Sequence, residues 1–511
     1  GGNGTEKKPC NTSRYSIYLE GMGEKGMDMS EMVQTLAKEK AAIVQGSAER
    51  IAKQHADGKC TARERVAKLF DAGSFVEVDA LREDSHVVAG FGTVNGCAAY
   101  CFAQDYAACG GAMTRAQAEK IQKVLTMAKV NGAPVVALLD SAGVKIDEGA
   151  AAMPAYAGIV SQMARLSGVC PMIACVMGPC RGLATLIAQA CDIAIEVKKT
   201  GELALHTALV MNSEKGREKT AQQLFGAEEM EKQGAVALTA ENEEEATALI
   251  AALLDLLPAC NMEDATLVAD SDDLNRELVC QDAADGSALM ADLADDGRVV
   301  ELYKGFGVAV KTALCRIGGR SVGLVATDYA QDQGRLTADA CRKAARFVRL
   351  CDCYQLPVVT LVNTDGMAVP AVCQQGNLLR GAAELCYAYS EATAAKVAVI
   401  TGDAVGAAYV AMGGKNVADM AYAWPNAMIA PLTKEAAVQT FEGEKLQAGE
   451  TREGLEDAYA KRSGALFAAQ SGMVDDVIEP RETRKYVIYA LEMLASKHDV
   501  NLPKKHGNLP L

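Results

Sequence analysis

Short apolar runs, each ended by a glycine-bearing turn, alternate along the chain with stretches in which apolar residues recur three or four positions apart. Residues 135–139 (VVALL) follow Pro134 and stop at Asp140-Ser141-Ala142-Gly143; residues 172–177 (MIACVM) stop at Gly178-Pro179-Cys180-Arg181-Gly182. Runs of this length and composition read as buried strands, and the stretches between them as amphipathic helices. Thr114 is the expected N-cap of one such helix. Gln117, three residues on, is placed to close a capping box, and the helix is expected to end near Asn131-Gly132. Strand, helix and strand in this order predict a mostly parallel sheet covered by helices, an α/β architecture.

The pattern occurs twice. Asp105-Tyr106-Ala107 returns as Asp328-Tyr329-Ala330, 223 positions later, and the same step carries Gly111 onto Gly334, Thr114 onto Thr337, Lys120 onto Lys343 and Pro134 onto Pro357. The strand and turn at 135–143 become residues 358–362 (VVTLV) with Asn363-Thr364-Asp365-Gly366. With one residue inserted, the second strand and its turn become residues 397–401 followed by Gly402-Asp403-Ala404-Val405-Gly406. An ordered set of matches at one spacing indicates internal duplication. The expected organisation is one unit over 29–265, an acidic, solvated connection of low order over 266–294 (within ADSDD, QDAADGS and ADDG), and a second unit over 295–511. Residues 1–28 are expected to be a loose tail or expression remnant, with Met27 or Met29 as the true start.

At 511 residues, 50% of them hydrophobic, the chain has material for two sizeable cores. A net charge of -15 argues against nucleic acid or an anionic membrane as principal partner, since either would be repelled at long range. No apolar run has the length of a membrane span, and no secretory leader pattern is present, so a cytoplasmic location is expected, peripheral to a membrane only through a complex. The 17 cysteines include no C-x-x-C pair, and with 5 histidines no metal cluster is expected. The cysteines read as buried thiols in a reducing compartment.

Chemistry is expected at the glycine turns. Where a strand runs through a turn directly into a helix, the first N–H groups of that helix lack intrahelical acceptors and point, with the positive end of the helix dipole, at whatever lies above. Gly182-Leu183 and Gly406-Ala407 are such turns, one per copy, and each is a candidate oxyanion hole; the plainer reading is that the glycines only permit a tight turn. Preorganised donors of this kind contribute about 3 to 4 kcal/mol each. Lys145 and Arg181 lie near the first turn and are candidates for pairing with phosphate. Asp147, Glu148, Glu384 and Glu391 are weaker acid–base candidates, and Gly110-Gly111 reads as a turn before a phosphate loop.

Several motifs carry a family resemblance: Thr61-Ala62-Arg63-Glu64-Arg65, residues 140–149 (DSAGVKIDEG), Met177-Gly178-Pro179-Cys180, Ala345-Arg346-Phe347-Val348-Arg349, Tyr422-Ala423-Trp424-Pro425 and residues 475–480 (DDVIEP). Together they make the chain, from about residue 30 to its end, resemble the biotin-dependent carboxyltransferases. That family includes the β subunits of propionyl-CoA carboxylase and the α subunits of methylmalonyl-CoA and glutaconyl-CoA decarboxylases.

The resemblance implies two crotonase-like domains per chain and an active site formed between the first domain of one subunit and the second of another, hence a homo-oligomer, a dimer or a trimer of dimers. It places a short-chain acyl-CoA on the first domain, its thioester oxygen at Gly182 and Leu183, with Gly143, Val144, Lys145 and Arg181 around the ester. Biotin, on a separate carrier protein, would lie at Gly406 and Ala407, near Gly366, Met367 and Ala408. A biotin carboxylase or a membrane decarboxylase subunit is the implied further partner, and the decarboxylating direction is preferred. Two alternatives stand beside this reading: a diverged paralogue that binds CoA or the carrier without turnover, and a crotonase-type acyl-CoA hydratase or hydrolase.

Overall fold

The structure, a computed structural model, describes residues 28–508 except 217 and 270. The expected tail at 1–28 lies outside the described residues, save Asp28, which precedes the helix Met29–Gln45. Among the described residues the strands form two sheets of eight.

The first sheet contains β1 (Val76–Glu77), β2 (Val87–Val94), β3 (Cys97–Gln104), β4 (Val135–Ser141), β5 (Met172–Arg181), β6 (Ile193–Val197), β7 (Glu202–Ala204) and β8 (Leu238–Ala240). The second contains β9 (Val299–Leu302), β10 (Val310–Ile317), β11 (Arg320–Thr327), β12 (Val358–Thr364), β13 (Lys396–Val405), β14 (Met420–Ala423), β15 (Met428–Ala430) and β16 (Asp476–Val477). The first runs β1-β2-β3-β4-β5-β6-β8 with β7 on β5, the second β9-β10-β11-β12-β13-β14-β16 with β15 on β13. Each strand thus has a counterpart in the other sheet. The β2–β3 and β10–β11 hairpins are antiparallel, while β3 through β8 and β11 through β16 pair in parallel. Parallel neighbours need long crossovers, which the helices Arg115–Asn131 and Ala338–Cys353 supply.

The duplication holds at the level of single bonds. The Ser141 hydroxyl donates to Gly111 O at 2.7 Å, and Thr364 donates to Gly334 O at 2.7 Å. The Gly143 N–H donates to Ser141 Oγ, and the Gly366 N–H to Thr364 Oγ1, both at 3.1 Å. Gly111 and Gly334 have φ of 62° and 64° and sit so close to the neighbouring strand end that a Cβ would lie 2.3 Å from Asp140 O and 2.4 Å from Asn363 O. The Gly110-Gly111 pair is therefore a close-packed turn.

Two expectations are modified. Thr114 does cap its helix, accepting the Gln117 N–H at 3.0 Å, and Gly132 ends it with φ of 63°. The capping box does not close, because the buried Gln117 amide is engaged by Gln104 Nε2 (3.1 Å) and Ala112 O (3.2 Å). The acidic connection is largely exposed and carries no helix or strand over 266–285 among the described residues, as expected, but several of its carboxylates have set roles. Asp285 caps the helix Gly286–Leu293, which buries Leu289, Met290 and Leu293. Asp272 and Asp292 hold Arg276 at 3.0 and 2.8 Å, and Asp295 holds the buried Arg484 at 2.7 Å. Acidic composition signalled solvation, whereas these carboxylates serve as caps and as partners of cations.

The two units share a core. The helix Glu243–Leu256 contributes Ile250, Leu253 and Leu254 to a buried cluster that also holds Tyr303, Ala344, Phe347 and Val348 of the second unit. Tyr303 N–H donates to Ala237 O at 2.7 Å, Arg346 to Cys191 O at 3.1 Å, and the Tyr354 hydroxyl to Asp192 Oδ2 at 2.8 Å. Many cysteines are buried as expected, but Cys97, Cys353 and Cys373 are exposed. Among the described residues no helix is long and apolar enough to cross a membrane.

Candidate active site

The two turns sit at the carboxyl ends of parallel strands, where open α/β sheets place ligands. In the first unit, β5 leads through Gly182 (φ 58°) and Leu183 into the helix Ala184–Ala190. Gly143, ending the neighbouring turn with φ of 115°, stands against it: a Cβ there would lie 3.9 Å from Arg181 O. Val144 is fixed by a bridge to Met113, and the Lys145 N–H donates to Met113 O at 3.0 Å. Gly143, Val144, Arg181, Gly182 and Leu183 are thereby brought together.

The donors differ from those expected. The Gly182 N–H is taken by Ala204 O at 3.0 Å, because β7 pairs with the end of β5. The N–H groups of Leu183 and Ala184 have no acceptor among the described residues, so the free pair lies one residue further along. The Leu183 side chain packs against the core of the first unit and leaves the turn open. Arg181 is also committed, its guanidinium 2.7 Å from Glu202, so it is not a ready phosphate partner. Lys145 is partly exposed and makes no ion pair among the described residues, which leaves it suited to an anionic ligand.

A buried charge network braces this turn from below. Asp140 accepts from Lys59 (3.0 Å), Arg65 (2.8 Å) and Gln54 (2.9 Å), and Arg65 reaches on to Glu243 at 2.5 Å. Burial works against the charge on Arg65, but Asp140 and Glu243 outweigh it and hold the guanidinium above its ordinary range. Gly178 is needed here, since a Cβ would lie 2.1 Å from Asp140 Oδ1.

In the second unit Gly406 (φ 57°) and Ala407 open the helix Gly406–Ala411, and Gly366 (φ 117°) lies beside them, a Cβ there falling 3.7 Å from Val405 O. Met367 is bridged to Leu336 as Val144 is to Met113. Ala408, expected on the biotin side, points its side chain into the shared core and is fully buried. Three of the four weaker acid–base candidates are engaged elsewhere: Glu148 accepts the Arg115 N–H at 2.8 Å, Glu384 lies 3.6 Å from Arg342, and Glu391 holds Arg349 at 3.3 Å and Lys504, while Asp147 is exposed.

The second turn carries a group that sequence reading passed over. Asp365 and Asp403 stand at the ends of β12 and β13, and the Tyr329 hydroxyl donates to Asp365 at 3.2 Å. Burial first, then the charge of Asp365, push Asp403 up to about 6. The signal was present in the repeat: Ala142 and Pro179 stand at the matching positions of the first copy.

The sequence matches the carboxyl transferase domain family over residues 53–509. It is 37% identical to the methylmalonyl-CoA decarboxylase subunit alpha of Veillonella parvula, over 94% of this chain and 99% of that protein. It is 36% identical to a propionyl-CoA carboxylase beta chain of Cereibacter sphaeroides, over 94% of this chain and all of the other. Its structure superimposes with a TM-score of 0.91 and 34% identity on transcarboxylase 12S, a hexamer in a multienzyme core seen with methylmalonyl-coenzyme A and methylmalonic acid bound, covering 95% of this chain and 100% of that one.

Proposed function

The chain belongs to the carboxyl transferase domain family, and on that premise we propose how its two turns divide the reaction. The protein is an enzyme of the biotin-dependent acyl-CoA carboxyltransferase kind, with two crotonase-like α/β units. In our reading the first unit, 29–265, holds the acyl-CoA and the second, 295–511, holds biotin delivered on a carrier protein.

The Leu183 and Ala184 amides carry the reading. Two unengaged main-chain donors at a strand-to-helix turn are placed to hold a thioester oxygen as it gains negative charge when the α-carbon loses or takes a carboxyl group. Gly143 permits close approach of the ester, and Lys145 offers its ammonium to a CoA phosphate. At the second turn the start of the helix Gly406–Ala411, with Gly366 and Met367 alongside, orients the ureido group. Biotin, when bound, supplies the nitrogen that accepts or returns the carboxyl group. Each turn sits in a different unit, so a site pairing the first unit of one copy with the second unit of another accounts for both, and makes the enzyme a homo-oligomer. A biotin carboxylase or membrane decarboxylase subunit would complete the cycle.

The test uses the purified protein with malonyl-, methylmalonyl- or glutaconyl-CoA and free biotin. Biotin-dependent conversion of at least one ester to its decarboxylated acyl-CoA is expected, with no hydration of crotonyl-CoA. Intact CoA binding without turnover of any ester would point instead to a non-catalytic paralogue, and biotin-independent hydration to a hydratase.

A further inference from the structure

We propose that Arg181, aligned by Glu202, binds the carboxylate of the CoA ester at the first turn and so distinguishes the carboxylated ester from its decarboxylated product. The proposal rests on the assignment of acyl-CoA to that turn. Arg181 is the last residue of β5 and directly precedes Gly182. Its carbonyl borders Gly143, where a Cβ would lie 3.9 Å from Arg181 O.

The side chain stands on the open side of the strand. Cys180 and Leu203, neighbours of Arg181 and Glu202 on β5 and β7, point into the first unit's core, and alternation along a strand turns Arg181 and Glu202 to the opposite face. There the Arg181 side chain remains 36% exposed and that of Glu202 17%. Nη2 donates to Glu202 Oε2 at 2.7 Å, whereas Nε and Nη1 donate to nothing among the described residues. A guanidinium carries its N–H donors in a rigid fork, and a carboxylate accepts two of them side by side. Glu202 thus takes one corner of the fork, fixes its plane and leaves the other donors for an anion. That arrangement suits a carboxylate on the carbon beside the thioester. A CoA phosphate lies at the other end of the long pantetheine arm.

The duplication shows that the fold does not need this ion pair. β13 and β15 repeat the ladder of β5 and β7 residue for residue: Pro179 pairs with Glu202 and Arg181 with Ala204, as Asp403 pairs with Met428 and Val405 with Ala430. Where the first unit has Arg181 and Glu202, the second has Val405 and Met428, and the strands pair in the same register. An ion pair open to water adds little to stability in any case. The charged fork is therefore an addition confined to the unit assigned to the ester. Before transfer the ester carries a carboxylate and afterwards it does not, so the two forms differ at this point by one negative charge. The spare donors of Arg181 have a partner in the first form and none in the second.

The experiment measures binding of methylmalonyl-CoA and propionyl-CoA, and of malonyl-CoA and acetyl-CoA, to the full-length protein by calorimetry with no biotin present. Arg181→Met should raise the Kd for the carboxylated esters about tenfold to a hundredfold, the usual worth of hydrogen bonds to a charged group. The Kd for propionyl-CoA and acetyl-CoA should change by less than about twofold, so that these esters also report an intact fold. Arg181→Lys, which keeps the charge but not the fork, should fall between. Glu202→Gln removes a like charge, so electrostatics alone would tighten the carboxylated esters. Loosening by about threefold or more is expected instead, because the fork loses its anchor. Unchanged or tighter binding in Glu202→Gln overturns the role given to Glu202. Equal shifts for both members of a pair in Arg181→Met, or no shift in either, overturn the proposal and leave the carboxyltransfer reading standing. A wild-type protein that binds none of these esters sinks the assignment of acyl-CoA to the first turn, and the proposal with it.

Discussion

Arg65→Met tests the network under the first turn. The guanidinium places Nη1 2.8 Å from Asp140 Oδ2 and Nη2 2.5 Å from Glu243 Oε1, with all three side chains buried. Together with Lys59 they form a balanced set of two cations and two anions. Removing Arg65 leaves Asp140 with Lys59 and Gln54, but leaves Glu243 facing only the Cys60 N–H at 3.2 Å. A buried charge deprived of its partner costs about 3–5 kcal/mol. With a urea dependence of about 3 kcal/mol per molar, the midpoint should drop by about 1 M or more. Trp424, buried in the second sheet's core and donating to Thr483 at 2.9 Å, reports the second unit by its fluorescence. Because the two units share a core, circular dichroism and Trp424 fluorescence should both move to lower urea in the variant. Adding Glu243→Gln should recover more than half of the loss, since it removes the stranded charge. A single-variant midpoint within about 0.2 M of wild type, where m is of the size cited above, would refute the assignment of this network as a brace.

Leu183→Pro deletes a free donor at the first turn while suiting the existing φ of -61°, and should lower turnover of the CoA ester about a hundredfold at constant fold content. An unchanged kcat would remove that amide from the reaction. Gly178→Ala and Gly402→Ala should both destabilise, since their Cβ atoms would fall 2.1 Å from Asp140 Oδ1 and 2.3 Å from Asn363 Oδ1. The first should be worse, about 3 kcal/mol against about 1–2, because Asp140 is pinned by two cations and cannot retreat. Urea midpoints followed by circular dichroism measure the difference.

What the sequence made legible was whatever depends on local pattern. The repeat spacing led from Gly111 to Gly334 and from Thr114 to Thr337, and those positions carry the same turns and caps in both sheets. Readings that depend on which side chains meet in space fared less well. Arg181 looked free for phosphate because nothing in the chain near it announces Glu202, which β7 brings alongside β5. Gly182 looked like a donor because its use by Ala204 is a strand pairing of three residues, too short to leave a periodic signature. The ion pairs of the acidic connection were hidden for the same reason: Arg276 and Arg484, which hold Asp272, Asp292 and Asp295, are visible as partners only once folded.

The apolar wall between the two units limits how such a gene can be rearranged. Cut within the acidic connection, it would encode two polypeptides, each with a greasy flank where Phe347 and Val348 now share one buried cluster with Leu253 and Leu254. Neither fragment has a polar version of that flank to fall back on. A split version of this enzyme would have to synthesise both pieces together and in equal amounts, so that fusion into a single reading frame is itself a means of stoichiometric control.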